Sequence, residues 1–234
     1  MNDLLLIVPA YNEEASLPAT IDMLRRQPYD FVIVNDGSTD RTLQIAQQLH
    51  ATVIDLPFNQ GLAGAFTAGM QYAKEHNYAY ALQFDADGQH LPQYISPMRD
   101  KLIATGADIL VGSRFLDQPM PLSPRIIGSR LLQLMVRLTT GKKLTDPTSG
   151  MRMYGRRVIE LFAAHPDLTP EPDTIAYLLR NGFQVNECLV TMQDRVAGTS
   201  YLSSWSSVKY MCRMSFSILL IQFVRLRIRK EERA

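Results

Sequence analysis

Five short apolar runs, each but the last followed by a stretch with helical spacing, limit what this 234-residue chain can fold into. The runs are residues 4–8, 31–34, 52–56, 80–84 and 108–111, and the helical stretches are 16–26, 40–50, 62–76 and 92–105. Runs that stay apolar rather than alternate indicate strands buried on both faces. Strand–helix alternation then builds right-handed βαβ crossovers. The predicted fold class is α/β, a doubly wound, mostly parallel, Rossmann-like sheet, in which ligands bind beyond the carboxyl ends of the strands. Those ends read Pro9-Ala-Tyr-Asn-Glu13, Asn35-Asp-Gly-Ser38, Asp85-Ala-Asp87 and Gly112-Ser-Arg114. Polar and acidic groups collect on one edge, and the site is expected there.

After residue 114 the rhythm breaks. Pro119, Pro121 and Pro124 mark an irregular link, and residues 125–138 have helical spacing. Residues 141–150 read as loop, 158–164 and 174–181 as short helices, and 184–192 alternates like a strand. The expected organisation is one domain over 1–204, in halves 1–114 and 115–204, then a C-terminal segment 205–234.

Charge and cysteine content exclude several classes. With 24 Lys and Arg against 23 Asp and Glu, the chain lacks the basic excess of a dedicated nucleic-acid binder. Two cysteines, Cys188 and Cys212, are too few for a disulfide framework and fit a reducing compartment. Met1-Asn2-Asp3 has an acid where a secretory signal needs basic residues, so the catalytic part is expected in the cytoplasm. The overall balance hides an asymmetry. Seven basic and two acidic residues from Trp205 onward make the tail +5 and leave the first 204 residues at −4.

Asp85-Ala86-Asp87 is the sharpest chemical feature. Two carboxylates at a strand end can share a hard divalent cation, Mg²⁺ or Mn²⁺, whose shell is completed by water and phosphate oxygens. Gln89 could add a carbonyl oxygen. A solvated turn is the plain alternative. Asp36 follows an apolar strand directly and is placed to accept hydrogen bonds from a base or ribose, whereas Asp40 reads as a helix cap. The small residues Gly61, Gly64 and Gly69 resemble a phosphate-cradling helix start but equally suit close packing of helix on sheet. Packing is the expectation for Gly64 and Gly69, while Asn59 and Gly61 fit either role. No G-x-G-x-x-G or Walker-A string is present, which argues against nicotinamide, flavin and P-loop chemistry.

Taken together and in order, Ile7-Val-Pro-Ala-Tyr-Asn-Glu-Glu14, Val34-Asn-Asp-Gly-Ser-Thr-Asp-Arg-Thr42, Asn59-Gln-Gly61 and Gln83-Phe-Asp-Ala-Asp-Gly-Gln-His90 resemble the family 2 inverting glycosyltransferases of GT-A fold. Asp146-Pro-Thr-Ser-Gly-Met-Arg152 and Arg195-x-x-Gly-x-Ser200 are similar to the dolichyl- or polyprenyl-phosphate mannose/glucose synthase branch, with Met151 where that branch often has Phe. The resemblance implies a nucleotide-sugar-binding half over 1–114 and an acceptor-facing half over 115–204. It implies that Pro9, Ala10, Tyr11, Glu13 and Asp36 hold the nucleoside, with Asn59, Gly61, Asp85 and Ala86 beside it, and that Asp85, Asp87 and Gln89 hold the cation. It places Ser149, Arg152 and Arg195 toward acceptor or pyrophosphate, with Ser200 on the acceptor side. The donor would be a UDP- or GDP-linked sugar.

An acceptor oxygen then attacks the anomeric carbon while nucleoside diphosphate departs, its growing charge stabilised by the cation. A phosphate monoester, with a second pKa near ~6, needs no general base at neutral pH. It needs arginines, and Arg114, Arg152 and Arg195 are the foremost candidates, followed by Arg125. For a hydroxyl acceptor the candidate bases are Glu171, Asp173 and Asp194; Glu171 is held between two prolines at a helix start, and capping is its other reading.

Residues 214–224 carry no charge, but a spanning helix needs ~20 apolar residues. With Arg225, Arg227, Arg229 and Lys230 beyond it, the tail reads as a basic amphipathic helix on the inner face of a membrane or on a small membrane protein. Packing in a homo-oligomer is the alternative. The expected function is transfer of a hexose to a polyprenyl phosphate. The runner-up is transfer to a saccharide or glycolipid hydroxyl. A haloacid-dehalogenase-like phosphatase and a non-catalytic nucleotide-sugar sensor are more remote, the former because Gln89 stands where Thr usually follows Asp-x-Asp-Gly.

Overall fold

The structure, a computed structural model, describes residues 3–116, 124–193 and 204–224, without the side chains of 124–127, 204–208 and 221–224. Seven strands, β1 (Leu4–Ala10), β2 (Asp30–Asp36), β3 (Val53–Leu56), β4 (Tyr80–Gln83), β5 (Ile109–Ser113), β6 (Arg152–Gly155) and β7 (Val185–Leu189), form one sheet in the order β3-β2-β1-β4-β6-β5-β7. All neighbours run parallel except β6, which is antiparallel to both β4 and β5. The helices are α1 (Leu17–Arg25), α2 (Thr42–Gln48), α3 (Gly61–Glu75), α4 (Ile95–Thr105), α5 (Pro124–Thr140), α6 (Arg156–Ala164), α7 (Pro172–Arg180) and α8 (Ser204–Val224).

The pleat sends alternate residues of β1 to opposite faces. Leu5 and Ile7 join Phe66, Met70, Tyr154 and Phe162 under α3 and α6, while Leu4, Leu6 and Val8 join Leu17, Ile21, Met98 and Leu102 under α1 and α4. Both layers are shielded from water, as the continuous apolar runs require. Gly69 sets the spacing of α3, because a Cβ there would lie 2.3 Å from Ile7 Cγ2. That is the packing role expected of it.

Two features differ from the sequence reading. Strand β6 was not anticipated, because Arg152-Met-Tyr-Gly155 is four residues long and opens on a cation. It nevertheless fills the middle of the sheet with every residue buried. The cation is tolerated because its guanidinium has backbone partners, described below. The start of α2 also falls at Thr42 rather than Asp40. Asp40 sits two residues before it and its Oδ1 accepts from the Thr42 N–H at 2.9 Å, so it serves the helix start from the preceding turn.

The C-terminal helix α8 packs on α5 and α7 and buries Met211, Met214 and Ile218. No helix among the described residues is long and apolar enough to cross a membrane. The basic residues 225–230 lie outside the described residues.

Candidate active site

The carboxyl ends of β1, β2 and β4 open onto a cavity of about 940 Å³. Pro9, Ala10, Tyr11 and Glu13 line it from β1, Asp36 from β2, and Asp85, Ala86 and Asp87 from β4. Loops on this rim are tied to one another by side chains. The Asn12 N–H donates to Ser38 Oγ at 3.0 Å, the Thr39 N–H to Asn12 Oδ1 at 2.8 Å, and the Glu13 N–H to Thr42 Oγ1 at 2.8 Å. Gly37 has φ +61°, and a Cβ there would lie 2.5 Å from the Phe58 carbonyl carbon. Only glycine lets these two loops touch. Asp36 is buried and accepts from the Gln60 N–H at 2.7 Å, so it anchors the start of α3 as well as facing the cavity. Asn59 and Gly61 lie beside it on the lining, with the Gly61 N–H donating to Asn59 Oδ1 at 2.9 Å.

Asp85 and Asp87 face the cavity from the same loop. Asp85 Oδ1 accepts from Gln83 Nε2 at 3.2 Å, and Asp87 Oδ1 accepts from the Gln89 N–H at 3.0 Å. Behind them stands His90, only 2% exposed. Its Nδ1 accepts from the Asp85 N–H at 2.9 Å, which leaves the ring proton on Nε2, 3.5 Å from Asp85 Oδ2. Phe84 packs edge-on against the ring with centroids 5.4 Å apart. Asp85 is thus gripped at its backbone and approached at its carboxylate by one imidazole. On the other side, a Cβ on Gly150 would come within 3.0 Å of Asp85 Oδ2, so the bare backbone at that position leaves the carboxylate its room.

The opposite rim belongs to the second half of the chain. Thr148, Ser149, Gly150, Arg152, Pro170 and Glu171 line it. The Arg152 guanidinium, 2% exposed, donates from Nη1 to the Pro170 carbonyl and from Nη2 to the Pro147 carbonyl, each at 2.8 Å. It therefore clamps the two loops that carry Ser149 and Glu171. Ser149 Oγ and Gln83 Oε1 are buried on the cavity wall without a hydrogen-bond partner, and such groups normally find one. Both are available to a polar ligand. Three residues of α8, Lys209, Tyr210 and Arg213, complete the wall. Tyr210 donates its hydroxyl proton to Glu171 Oε2. Burial, followed by the neighbouring Glu171 carboxylate, pushes the Tyr210 phenol far above its ordinary value, so it remains a donor.

Two sequence-derived site residues stand apart from the cavity. Arg114 forks onto the buried Asp146, with Nε to Oδ2 at 2.7 Å and Nη2 to Oδ1 at 2.9 Å, an ion pair that fixes the loop after β5. Gln89 turns its amide toward the Gln193 carbonyl at 3.4 Å. Neither is on the lining. Asp194, Arg195, Ser200 and the side chain of Arg125 lie outside the described residues. Sequence reasoning passed over His90 and the cavity-facing side of α8. The first could be suspected from its spacing of five after Asp85 beside an aromatic. The second was read only as the basic flank of an apolar helix. Among the described residues no three His, Cys, Asp or Glu side chains converge, so a cation here would find two carboxylates and take the rest of its shell elsewhere.

Comparison with known proteins follows the same lines. An undecaprenyl-phosphate mannosyltransferase of Micrococcus luteus is 32% identical over 214 residues, 85% of this chain and 87% of that protein. An uncharacterized protein of Methanocaldococcus jannaschii is 34% identical over 158 residues; the match spans 65% of each chain, just under two thirds of that protein's length. Among solved structures, mannosyl-3-phosphoglycerate synthase from Rubrobacter xylanophilus superposes with a TM-score of 0.68 at 16% identity, covering 97% of this chain and 76% of that one. Glucosyl-3-phosphoglycerate synthase from Mycobacterium tuberculosis, in complex with Mn²⁺, UDP and glucosyl-3-phosphoglycerate, superposes with a TM-score of 0.58 at 16% identity, covering 94% and 79%. The sheet is of the GT-A kind that these structures share. The description "Glycosyl transferase family 2" matches residues 5–162, and the chain belongs to that family.

Proposed function

We propose that the protein transfers a hexose from a UDP- or GDP-linked sugar to a polyprenyl phosphate at the cytoplasmic face of a membrane. The observation that carries this reading is the cavity itself. Its floor holds the acidic residues Asp36, Asp85 and Asp87 at strand ends, and its far wall holds unpaired buried polar atoms and basic residues. The similarity to a protein named undecaprenyl-phosphate mannosyltransferase over most of both chains supports the acceptor class.

Asp85 and Asp87 are hard oxygen donors, and the clearance at Gly150 keeps the Asp85 carboxylate open to a Mg²⁺ or Mn²⁺ ion. When bound, that ion supplies charge stabilisation to the departing diphosphate. The Mn²⁺ and UDP in the related mycobacterial structure support this assignment. The chain's own residues do the positioning. Asp36 and the Tyr11 region receive the nucleoside, His90 fixes the direction of Asp85, and the Arg152 clamp presents Ser149 and Glu171 across the gap. A phosphate acceptor, already ionised, needs no proton removed, so Glu171 is free to be held by Tyr210.

Association with a membrane surface is supported by exposed apolar residues, Leu131, Leu134 and Leu138 on one face of α5 and Phe216, Leu219 and Leu220 on one face of α8, helices that pack against each other.

The test is an assay with labelled nucleotide sugars, undecaprenyl phosphate and Mg²⁺ or Mn²⁺, followed by extraction into organic solvent. Label in the organic phase is expected. Label found only on a water-soluble glycan would replace this reading with transfer to a saccharide hydroxyl.

A further inference from the structure

The cavity presents an electrostatic problem for an anionic acceptor. Five carboxylates, those of Glu13, Asp36, Asp85, Asp87 and Glu171, lie on its lining. A phosphate monoester carries a charge of about −1.5 to −2 at neutral pH and would be repelled without dedicated cations. Of the arginines expected to supply them, Arg114 is forked onto Asp146 off the lining, and Arg152 keeps its charge on the wall but holds the carbonyls of Pro147 and Pro170 with both terminal nitrogens. Lys209 and Arg213 are different. Both line the cavity from α8, one helical turn apart, and neither is paired with a carboxylate among the described residues. Glu171, on the same wall, accepts from Tyr210, whose ring Arg213 overlies at 5.9 Å.

Resting on the reading above, we propose that Lys209 and Arg213 form the subsite that receives the phosphate of an isoprenoid phosphate monoester. Residues four apart share a helix face, so both head groups reach one phosphate. Arginine's fork engages two oxygens and lysine adds a compact point charge. One to three turns further along, the same helix exposes Phe216, Leu219 and Leu220. A single element thus presents the charged end of the acceptor with cations and its hydrocarbon with apolar side chains. Sequence motifs place no residue of α8 in this role.

The experiment compares the full-length protein with Lys209→Ala, Arg213→Ala and the charge-preserving Lys209→Arg, using farnesyl phosphate in dilute detergent as acceptor and the nucleotide sugar that supports turnover. Each alanine variant should raise the KM for farnesyl phosphate roughly ten- to a hundredfold, the scale of losing a charged hydrogen bond. The calorimetric affinity for nucleoside diphosphate with Mn²⁺ should stay unchanged, and Lys209→Arg should restore most of the loss. Thermal melting checks that each variant is folded.

Three results would overturn the subsite. An equal fall in nucleoside diphosphate affinity would assign the pair to the donor. Unchanged KM in detergent, with loss only of sedimentation on phosphatidylglycerol vesicles, would assign it to lipid headgroups. Unchanged KM and unchanged sedimentation would leave the pair without a ligand role. A wild-type protein that glycosylates no polyprenyl phosphate at all would instead overturn the reading of function, and the subsite with it.

Discussion

The two rims of the cavity are built on opposite plans. On the rim formed by β1, β2 and β4, most polar groups are satisfied by one another, Asn12 by Ser38 and Thr39, Glu13 by Thr42 and Asp36 by Gln60, with Gln83 Oε1 left open. On the rim formed by β6, α7 and α8, the Arg152 clamp is surrounded by groups left open, namely Ser149 Oγ, Lys209 and Arg213, and by exposed leucines and Phe216 beyond. A rim whose polar groups are already paired holds a small ligand in one geometry. A rim with unpaired groups and apolar margins suits a ligand that arrives with its own charge and hydrocarbon. In the proposed reaction the first rim would receive the donor and the second the acceptor.

The largest effect is expected on the donor rim. Asp87→Ala should lower turnover by about a thousandfold or more, since charge stabilisation of this kind is worth several kcal/mol, while the melting temperature stays close to wild type. Substantial activity in that variant would dissolve the contrast between the rims.

On the acceptor rim the largest response should be in stability. Arg152→Met strips hydrogen bonds from two buried carbonyls, and at ~1–3 kcal/mol for each unsatisfied group it should cost about 2–6 kcal/mol in denaturant unfolding. A smaller cost would mean that the two loops hold their positions without the clamp.

His90→Asn removes an imidazole that grips Asp85 without touching a ligand. Outer partners of metal-binding groups typically contribute ten- to a hundredfold in affinity, about 1.4–2.7 kcal/mol. The Mn²⁺ concentration for half-maximal activity should rise by that factor, with kcat at saturating Mn²⁺ largely retained and direct Mn²⁺ binding in the presence of UDP weakened in parallel. A loss of kcat with no change in Mn²⁺ dependence would give His90 a different role.

The smallest effect concerns pH. Burial holds the Glu187 carboxyl above its ordinary value, despite hydrogen bonds from the Thr145 and Asp146 N–H groups. The folded protein therefore binds this proton more tightly than the unfolded chain does. The contribution is whole below the ordinary carboxylate value and is lost as pH rises through the raised one. Glu187→Gln should flatten that decline, seen as a shallower fall in unfolding free energy across mildly acidic pH. An unchanged slope would show that other groups set it.

Much of the donor rim could be read from the sequence because it rests on local rules. Apolar runs gave β1 to β5, and the residues just past their ends proved to face the cavity, from Pro9 to Asp87. The acceptor rim was harder because its determinants are remote in sequence. Arg152 looked like a phosphate ligand until its partners at Pro147 and Pro170 were visible, and a buried arginine gave no sign of a strand. Arg114 likewise owes its orientation to Asp146, 32 residues away. The place of the exposed Lys209 and Arg213 on the cavity wall depends on how α8 lies against α5 and α7, which helical periodicity alone does not specify.

The antiparallel strand β6 has a consequence for how the protein comes into being. Both hydrogen-bonding edges of β5 are filled by strands that follow it in the chain, β6 on one side and β7 on the other. During synthesis the first four strands can pair among themselves, but β5 must wait for β6, at 152–155, to fill one edge and for the polypeptide as far as Leu189 to fill the other. The portions of the chain before and after residue 114 are therefore interlocked within a single sheet. A fragment ended near residue 114 would carry an orphan strand with two sticky edges, prone to pairing with other chains.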